Sequence, residues 1–153
     1  MKPFVILLLI LTSCATSRYF ERAPEIDIIR QLYSASDPQL RKELSETYYA
    51  DSAKIYWNST TPLSWRERLL GVEESLRYFD AFEFLPDDEI ELIENSEGEK
   101  WVGWWTVMKI TVGEQIRYVP VHISTQFVDL KIVKEAAYWD NQLINELIDQ
   151  PAR

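Results

Sequence analysis

The spacing of apolar residues divides this chain into a helical first half and a strand-rich second half. Pro24 opens a pattern in which Ile26, Ile29, Leu32 and Tyr33 recur at helical intervals until Ser34-Ala35-Ser36 stops it. Asp37-Pro38 starts a second helix, with Asp37 as N-cap, Pro38 at the first helical position, and Leu40, Leu44 and Thr47/Tyr48 as its inner face. Tyr48-Tyr49-Ala50-Asp51 ends it. Lys54 to Trp57 is short, aromatic and β-branched, and Asn58-Ser59-Thr60-Thr61-Pro62 breaks it, so a strand followed by a loop is expected. Ser64-Trp65-Arg66-Glu67 has capping-box spacing. It opens a helical pattern from about Trp65 to Phe82, broken or bent at Gly71, with Val72, Leu76 and Phe79 on one side.

From Glu83 onward the period falls to two. Asp88 to Glu94 alternates apolar and acidic residues, and Asn95-Ser96-Glu97-Gly98 is a hairpin turn. In Lys100 to Val112, Val102, Trp104, Thr106, Met108, Ile110 and Val112 share one face. Trp101, Gly103, Trp105, Val107, Lys109 and Thr111 share the other. Gly113-Glu114 leads into a strand over Ile116 to Val128, and a tight turn at Asp129-Leu130-Lys131 leads into Leu130 to Trp139. Asp140 can cap a last helix through Leu143, Ile144, Leu147 and Ile148. Helices first and hairpin-linked strands afterwards predict an α+β fold, with helices on one face of a curved sheet. Both faces of the Trp-rich strand are substantially apolar. One face should pack the helices or line a cavity; the other is either well-packed core or the meeting place for a partner, plausibly a second copy in a homodimer.

Composition narrows the function more than the fold. The 153 residues allow one domain and a targeting segment, and six Trp, eight Tyr and six Phe make the chain aromatic-rich. With 16 Lys+Arg against 25 Asp+Glu, a formal charge of -9 and no basic block, nucleic acid is disfavoured as a partner. One His and one Cys are too few for a metal site, and four Gly without a phosphate loop exclude a nucleotide-binding fingerprint. No Gly-x-Ser-x-Gly elbow supports a serine triad. No metal or cofactor is expected.

The first residues predict the address. Lys2 is a positive n-region and Phe4 to Leu11 an apolar h-region, too short to span a bilayer but suited to a signal peptide. Leu11-Thr12-Ser13-Cys14 then resembles the bacterial lipobox, whose cysteine is lipidated and becomes the mature N-terminus. On that resemblance residues 1–13 are a lipoprotein signal peptide, 14–23 a lipidated tether and 24–153 the folded domain. Ala15 in place of Asp implies export to the outer membrane, and the lack of an acidic cluster after Cys14 favours its periplasmic face.

Three stretches carry a family resemblance: Tyr49-Ala50-Asp51-Ser52-Ala53-Lys54-Ile55-Tyr56, Pro120-Val121-His122, and Phe127 through Asp140. Together with the order of elements over roughly residues 25–149, they resemble the nuclear transport factor 2-like superfamily, most closely its SnoaL-like group. The resemblance implies a cone-shaped roll, in which a strongly curved antiparallel or mixed sheet packs on N-terminal helices around an apolar pocket. Pocket candidates are then Tyr33, Tyr56, Trp57, Trp104, His122, Glu135 and Trp139. The superfold hosts isomerases, cyclases, dehydratases and binding domains, so it does not fix an activity. Ketosteroid isomerase, from the same superfamily, uses an Asp base after the first strand and a protonated Asp in its oxyanion site. Here those regions read Ile55-Tyr56-Trp57-Asn58 and Pro120-Val121-His122, so that machinery is not carried over. Leu130 replaces the family's usual turn glycine, which implies a different turn geometry.

His122 is the acid/base candidate, since an unperturbed imidazole titrates near neutrality. Equally it could be structural or bind a ligand, with Glu135 as a cross-strand neighbour raising its pKa while burial lowers it. Two functions remain. One is a non-catalytic periplasmic domain that binds a small apolar ligand or a partner protein in or beside the cone. The other is a cyclase- or isomerase-like enzyme with His122 as base.

Overall fold

Prolines and short polar side chains fix where the helices begin. The computed structural model describes residues 18–86 and 89–148; Cys14 and the apolar stretch before it lie outside the described residues. A short strand, β1 (Arg18–Phe20), precedes α1 (Pro24–Ser34), and Pro38 opens α2 (Pro38–Tyr48). Each proline lacks an N–H that the first helical turn would leave unpaired anyway. Asp37 caps α2, its Oδ1 accepting the Leu40 N–H at 2.8 Å. After β2 (Tyr49–Trp57), a full capping box opens α3 (Trp65–Ser75). Ser64 Oγ accepts the Glu67 N–H at 3.3 Å, and Glu67 Oε2 accepts the Ser64 N–H at 2.7 Å.

The rest of the chain is β3 (Ala81–Phe84), β4 (Ile90–Glu94), β5 (Lys100–Val112), β6 (Gln115–Val128), β7 (Lys131–Trp139) and the closing helix α4 (Asn141–Ile148). Asp140 Oδ1 accepts the Gln142 N–H at 2.8 Å at the start of α4. The sheet runs β1-β4-β5-β6-β7-β2, with β3 also on β5. Every pairing is antiparallel except that of β2 with β7, which makes the sheet mixed. β4 takes one end of β5 (Lys100 to Trp104) and β3 the other (Met108 to Thr111), so two short strands share one edge.

Strand alternation sorts the side chains. Val102, Trp104, Thr106, Met108 and Ile110 of β5 are buried, as are Val119, Val121, Ile123, Thr125 and Phe127 of β6. They meet Ile26, Ile29 and Leu32 from α1 and Leu147 from α4 in one core. Burying each such aliphatic side chain contributes roughly 1.5–3 kcal/mol. The opposite face keeps Trp105, Tyr118 and Tyr138 more than half exposed.

Four expectations need correction. α3 stops at Ser75 and does not reach Phe82, because Phe82 and Phe84 alternate as a strand against β5 while Glu83 reaches outward to Lys109 at 2.7 Å. α2 turns Arg41 and Ser45 inward, and Leu40 is 46 % exposed. β2 begins at Tyr49, five residues before Lys54, with an irregular register to β7 between those two positions. Arg18–Phe20, in the stretch assigned to the tether, pairs with β4.

The β6–β7 turn is tight and left-handed at two successive residues. Asp129 and Leu130 have φ of 49° and 61°, both left-handed, as a tight primed hairpin turn requires. With leucine in place of the usual glycine, the turn holds a residue where L side chains are strained. A left-handed non-glycine residue costs roughly 1–2 kcal/mol, and the extra chain entropy of glycine offsets about 0.5–1 kcal/mol of any gain. Leu130 is 46 % exposed, so little packing is lost with its side chain. Leu130→Gly should therefore raise unfolding stability by about 0.5–1 kcal/mol in urea titrations; a lower midpoint would show that the side chain, not the turn, matters.

Candidate functional site

Glu135 lies on the inner face of β7 with no exposure to solvent, and three donors meet its carboxylate. Tyr49 Oη donates to Oε2 at 2.5 Å, Trp57 Nε1 to Oε1 at 3.1 Å, and Arg68 Nε to Oε1 at 3.3 Å. β2 supplies the first two because it runs parallel to β7 with Ile55 opposite Glu135. α3 supplies the third. Trp65, Arg68, Leu69 and Val72 are spaced i, i+3, i+4, i+7, so Arg68 holds a place on the helix's buried stripe.

Arg68 is 3 % exposed and pairs with Glu135 inside the protein. The rings of Tyr33, Tyr49 and Trp57 surround its guanidinium, with centroids 5.2, 5.5 and 5.2 Å away. Burial alone would lower the arginine's pKa; the neighbouring Glu135 carboxylate opposes this and holds the group charged. Burial pushes both tyrosines well up, and the Glu135 charge adds to it. Tyr33 and Tyr49 therefore stay neutral phenols at physiological pH.

In front of Arg68 and Trp57 lies a cavity of about 240 Å³, open on one side. Its walls are largely apolar: Leu32 from α1, Val72 from α3, Phe79, Phe82 and Phe84 around β3, Ile123 and Ala137 from the sheet, Ile144 from α4. Tyr33 packs edge-on against Phe84 at 5.0 Å, and Trp139 packs edge-on against Trp57 at 5.7 Å. Asn58 holds the Trp139 end in place. At φ 44° its side chain donates to Trp139 O and accepts from Trp139 N, at 2.9 and 3.1 Å.

This arrangement of a mixed sheet over helices is shared with solved structures, although no family profile matches the sequence and no curated protein does. A Jannaschia sp. CCS1 protein designated a SnoaL-like polyketide cyclase superposes with a TM-score of 0.62 at 13 % identity, covering 86 % of this chain and 98 % of its own. IdmH from Streptomyces antibioticus, designated a polyketide cyclase, gives 0.63 at 17 % identity over 84 % of this chain and all of its own. A Burkholderia pseudomallei protein of unknown function gives 0.64 at 14 % identity, with the same coverage. The fold is nuclear transport factor 2-like. At such identities the likeness extends to the fold alone.

Within this nuclear transport factor 2-like cone, the sequence-predicted residues part company. Tyr33, Trp57 and Trp139 line the cavity. Trp104 is buried beside it, 5.6 Å from the Tyr33 ring, and Glu135 stands behind Arg68 and Trp57 as their acceptor. Tyr56 points to the outer face of the sheet, where Lys134 Nζ lies 5.6 Å from its ring. His122 is also on the outer face, stacked on Trp105 at 4.2 Å and 31°. It borders a separate groove with Trp101 and Ser124. The expected pairing of His122 with Glu135 does not form. β6 and β7 put His122 opposite Tyr138 and Glu135 opposite Thr125, so the two lie three positions apart on opposite faces. Two charged residues of the cavity went unforeseen, Arg41 and Arg68. Their signal was an arginine at an inward-facing helical position.

Removing one partner of a buried ion pair costs about 3–5 kcal/mol, since the other charge is left unanswered. Arg68→Met and Glu135→Gln should each destabilise on that scale. The double variant should lose clearly less than their sum, a coupling that a double-mutant cycle measures; strict additivity would mean that the pair carries no shared energy. For His122, burial holds the pKa below its ordinary 6.5. Its folded value is thus below its unfolded one, so its contribution to stability is complete above about pH 6.5 and declines as pH falls through the folded value. Nuclear magnetic resonance titration of this one imidazole should give a midpoint under 6.5; a midpoint above it would indicate an anionic neighbour.

Proposed function

We propose that this protein is a lipid-anchored periplasmic domain that binds a small, mostly apolar molecule in its cone and does no chemistry on it. The observation carrying this reading is the wall of the cavity. It is apolar with a few convergent polar groups, the usual make-up of a small-molecule site. Among the described residues that line it, the charged ones are Arg41 and Arg68, which supply hydrogen bonds but no base. The neighbouring acid, Glu135, already accepts three hydrogen bonds. A cavity near 150 Å³ takes a benzene, so by proportion about 240 Å³ suits a ligand of roughly ten non-hydrogen atoms. The Cys14 lipid would hold the domain at the outer membrane, as the Leu11-Thr12-Ser13-Cys14 resemblance suggests.

The competing reading, a cyclase or isomerase with His122 as acid/base, draws on the polyketide cyclase designation of structural neighbours. It would need a substrate held against the outer face of the sheet, away from the cavity. The two readings separate by experiment. A ligand present at a hundred times its Kd should stabilise the protein by about 2.7 kcal/mol. Val72→Trp, which fills the cavity from α3, should abolish that stabilisation while His122→Ala leaves it intact. The reverse pattern would move the site to the outer groove. Cys14→Ser should release the protein from the membrane fraction; unchanged fractionation would show that Cys14 carries no anchoring lipid.

A further inference from the structure

Arg41 occupies an inward position on α2 that an aliphatic residue would ordinarily fill. It is 7 % exposed. Its Nε donates to Ala35 O at 3.2 Å and its Nη2 to Ser36 O at 2.9 Å. Those carbonyls fix the plane of the guanidinium but bring no negative charge, and no described carboxylate forms an ion pair with it. Its remaining nitrogen, Nη1, is buried without a hydrogen-bond partner. So are Nη1 of Arg68 and the hydroxyl of Tyr33. All three side chains line the same cavity.

An arginine stays charged in a protein, and a buried donor left unanswered is costly. Glu135 balances Arg68, whereas no described residue at ion-pair distance balances Arg41, so the described cavity wall carries one net positive charge. Burial and then repulsion from Arg68 push the Arg41 pKa down; the exposed Glu73 and Asp37 oppose this without pairing. A bound anion would relieve both effects. We propose that the ligand is a small organic monocarboxylate, its carboxylate received by Arg41, Arg68 and Tyr33 and its apolar body packed against Phe79, Phe82 and Phe84. This rests on reading the cavity as the ligand site.

The test compares 3-phenylpropanoate and octanoate, each with its neutral amide of the same size, by calorimetry and thermal shift on the full folded domain. Each acid should bind about tenfold or more tighter than its amide, because hydrogen bonds to a charged group are roughly twice as strong as neutral ones. In Arg41→Met the acid-to-amide ratio should fall towards one, with amide affinity little changed. Arg41→Lys keeps the charge and should retain most of the preference, which covers the case in which Arg41→Met fails to fold. Equal binding of acid and amide would overturn the carboxylate inference but leave the cavity as a ligand site. A preference that survives in Arg41→Met would overturn the assignment of the anion to Arg41. Failure of all four compounds to bind would overturn the cavity reading with it.

Discussion

A carboxylate shut away from water must be answered by donors, and Glu135 is answered from both a strand and a helix. Tyr49 and Trp57 reach it from β2, and Arg68 reaches it from α3. β2 lies at one edge of the sheet, in the one parallel pairing among the described strands. The three hydrogen bonds therefore fasten an edge to its neighbour and pin a helix over both. An ion pair of this kind is weak evidence for stability, since desolvating two charges offsets most of their attraction. Its consequence is geometrical: the guanidinium is fixed in place with one nitrogen facing no acceptor. That same fixation sets the back wall of the cavity.

The sheet divides the aromatic residues into two populations with different tasks. Inner-face rings such as Trp57, Phe84, Trp104 and Trp139 pack on each other and build the cone. Outer-face rings such as Trp105, Tyr118 and Tyr138 stay more than half exposed, with His122 lying against the first of them. The lone histidine therefore belongs to the surface population. The cavity wall instead carries the neutral phenol of Tyr33 and the cations of Arg41 and Arg68.

The long strands β5 and β6 were legible in the sequence because period-two alternation is unambiguous over their length, whereas β1 and β3 were not. The turn after Val128 and the cap at Asp140 were legible too. The tail of α3 was not: Leu76, Phe79 and Phe82 satisfy a helical spacing, while Phe82 and Phe84 satisfy a strand spacing, and only pairing with β5 decides between them. His122 alternates with the buried Val121 and Ile123, so its expected place among the pocket residues conflicts with their parity, and its relation to Glu135 depends on a bulge between Gln126 and Phe127. Such a bulge leaves no mark in composition. Arg41 and Arg68 were hidden by the habit of placing charges outside, although their helical positions placed them inside. An arginine in an apolar slot is the more informative signal.

The proposed ligand site is the cavity in front of the Glu135 knot, not the groove beside His122. A crystal structure of the domain with bound 3-phenylpropanoate tests it directly. The ring density is expected among Phe79, Phe82 and Phe84, with the ligand carboxylate near Arg41 and all three hydrogen bonds to Glu135 intact. Density beside Trp105 and His122, or a ligand carboxylate that displaces Glu135 from Arg68, would contradict it.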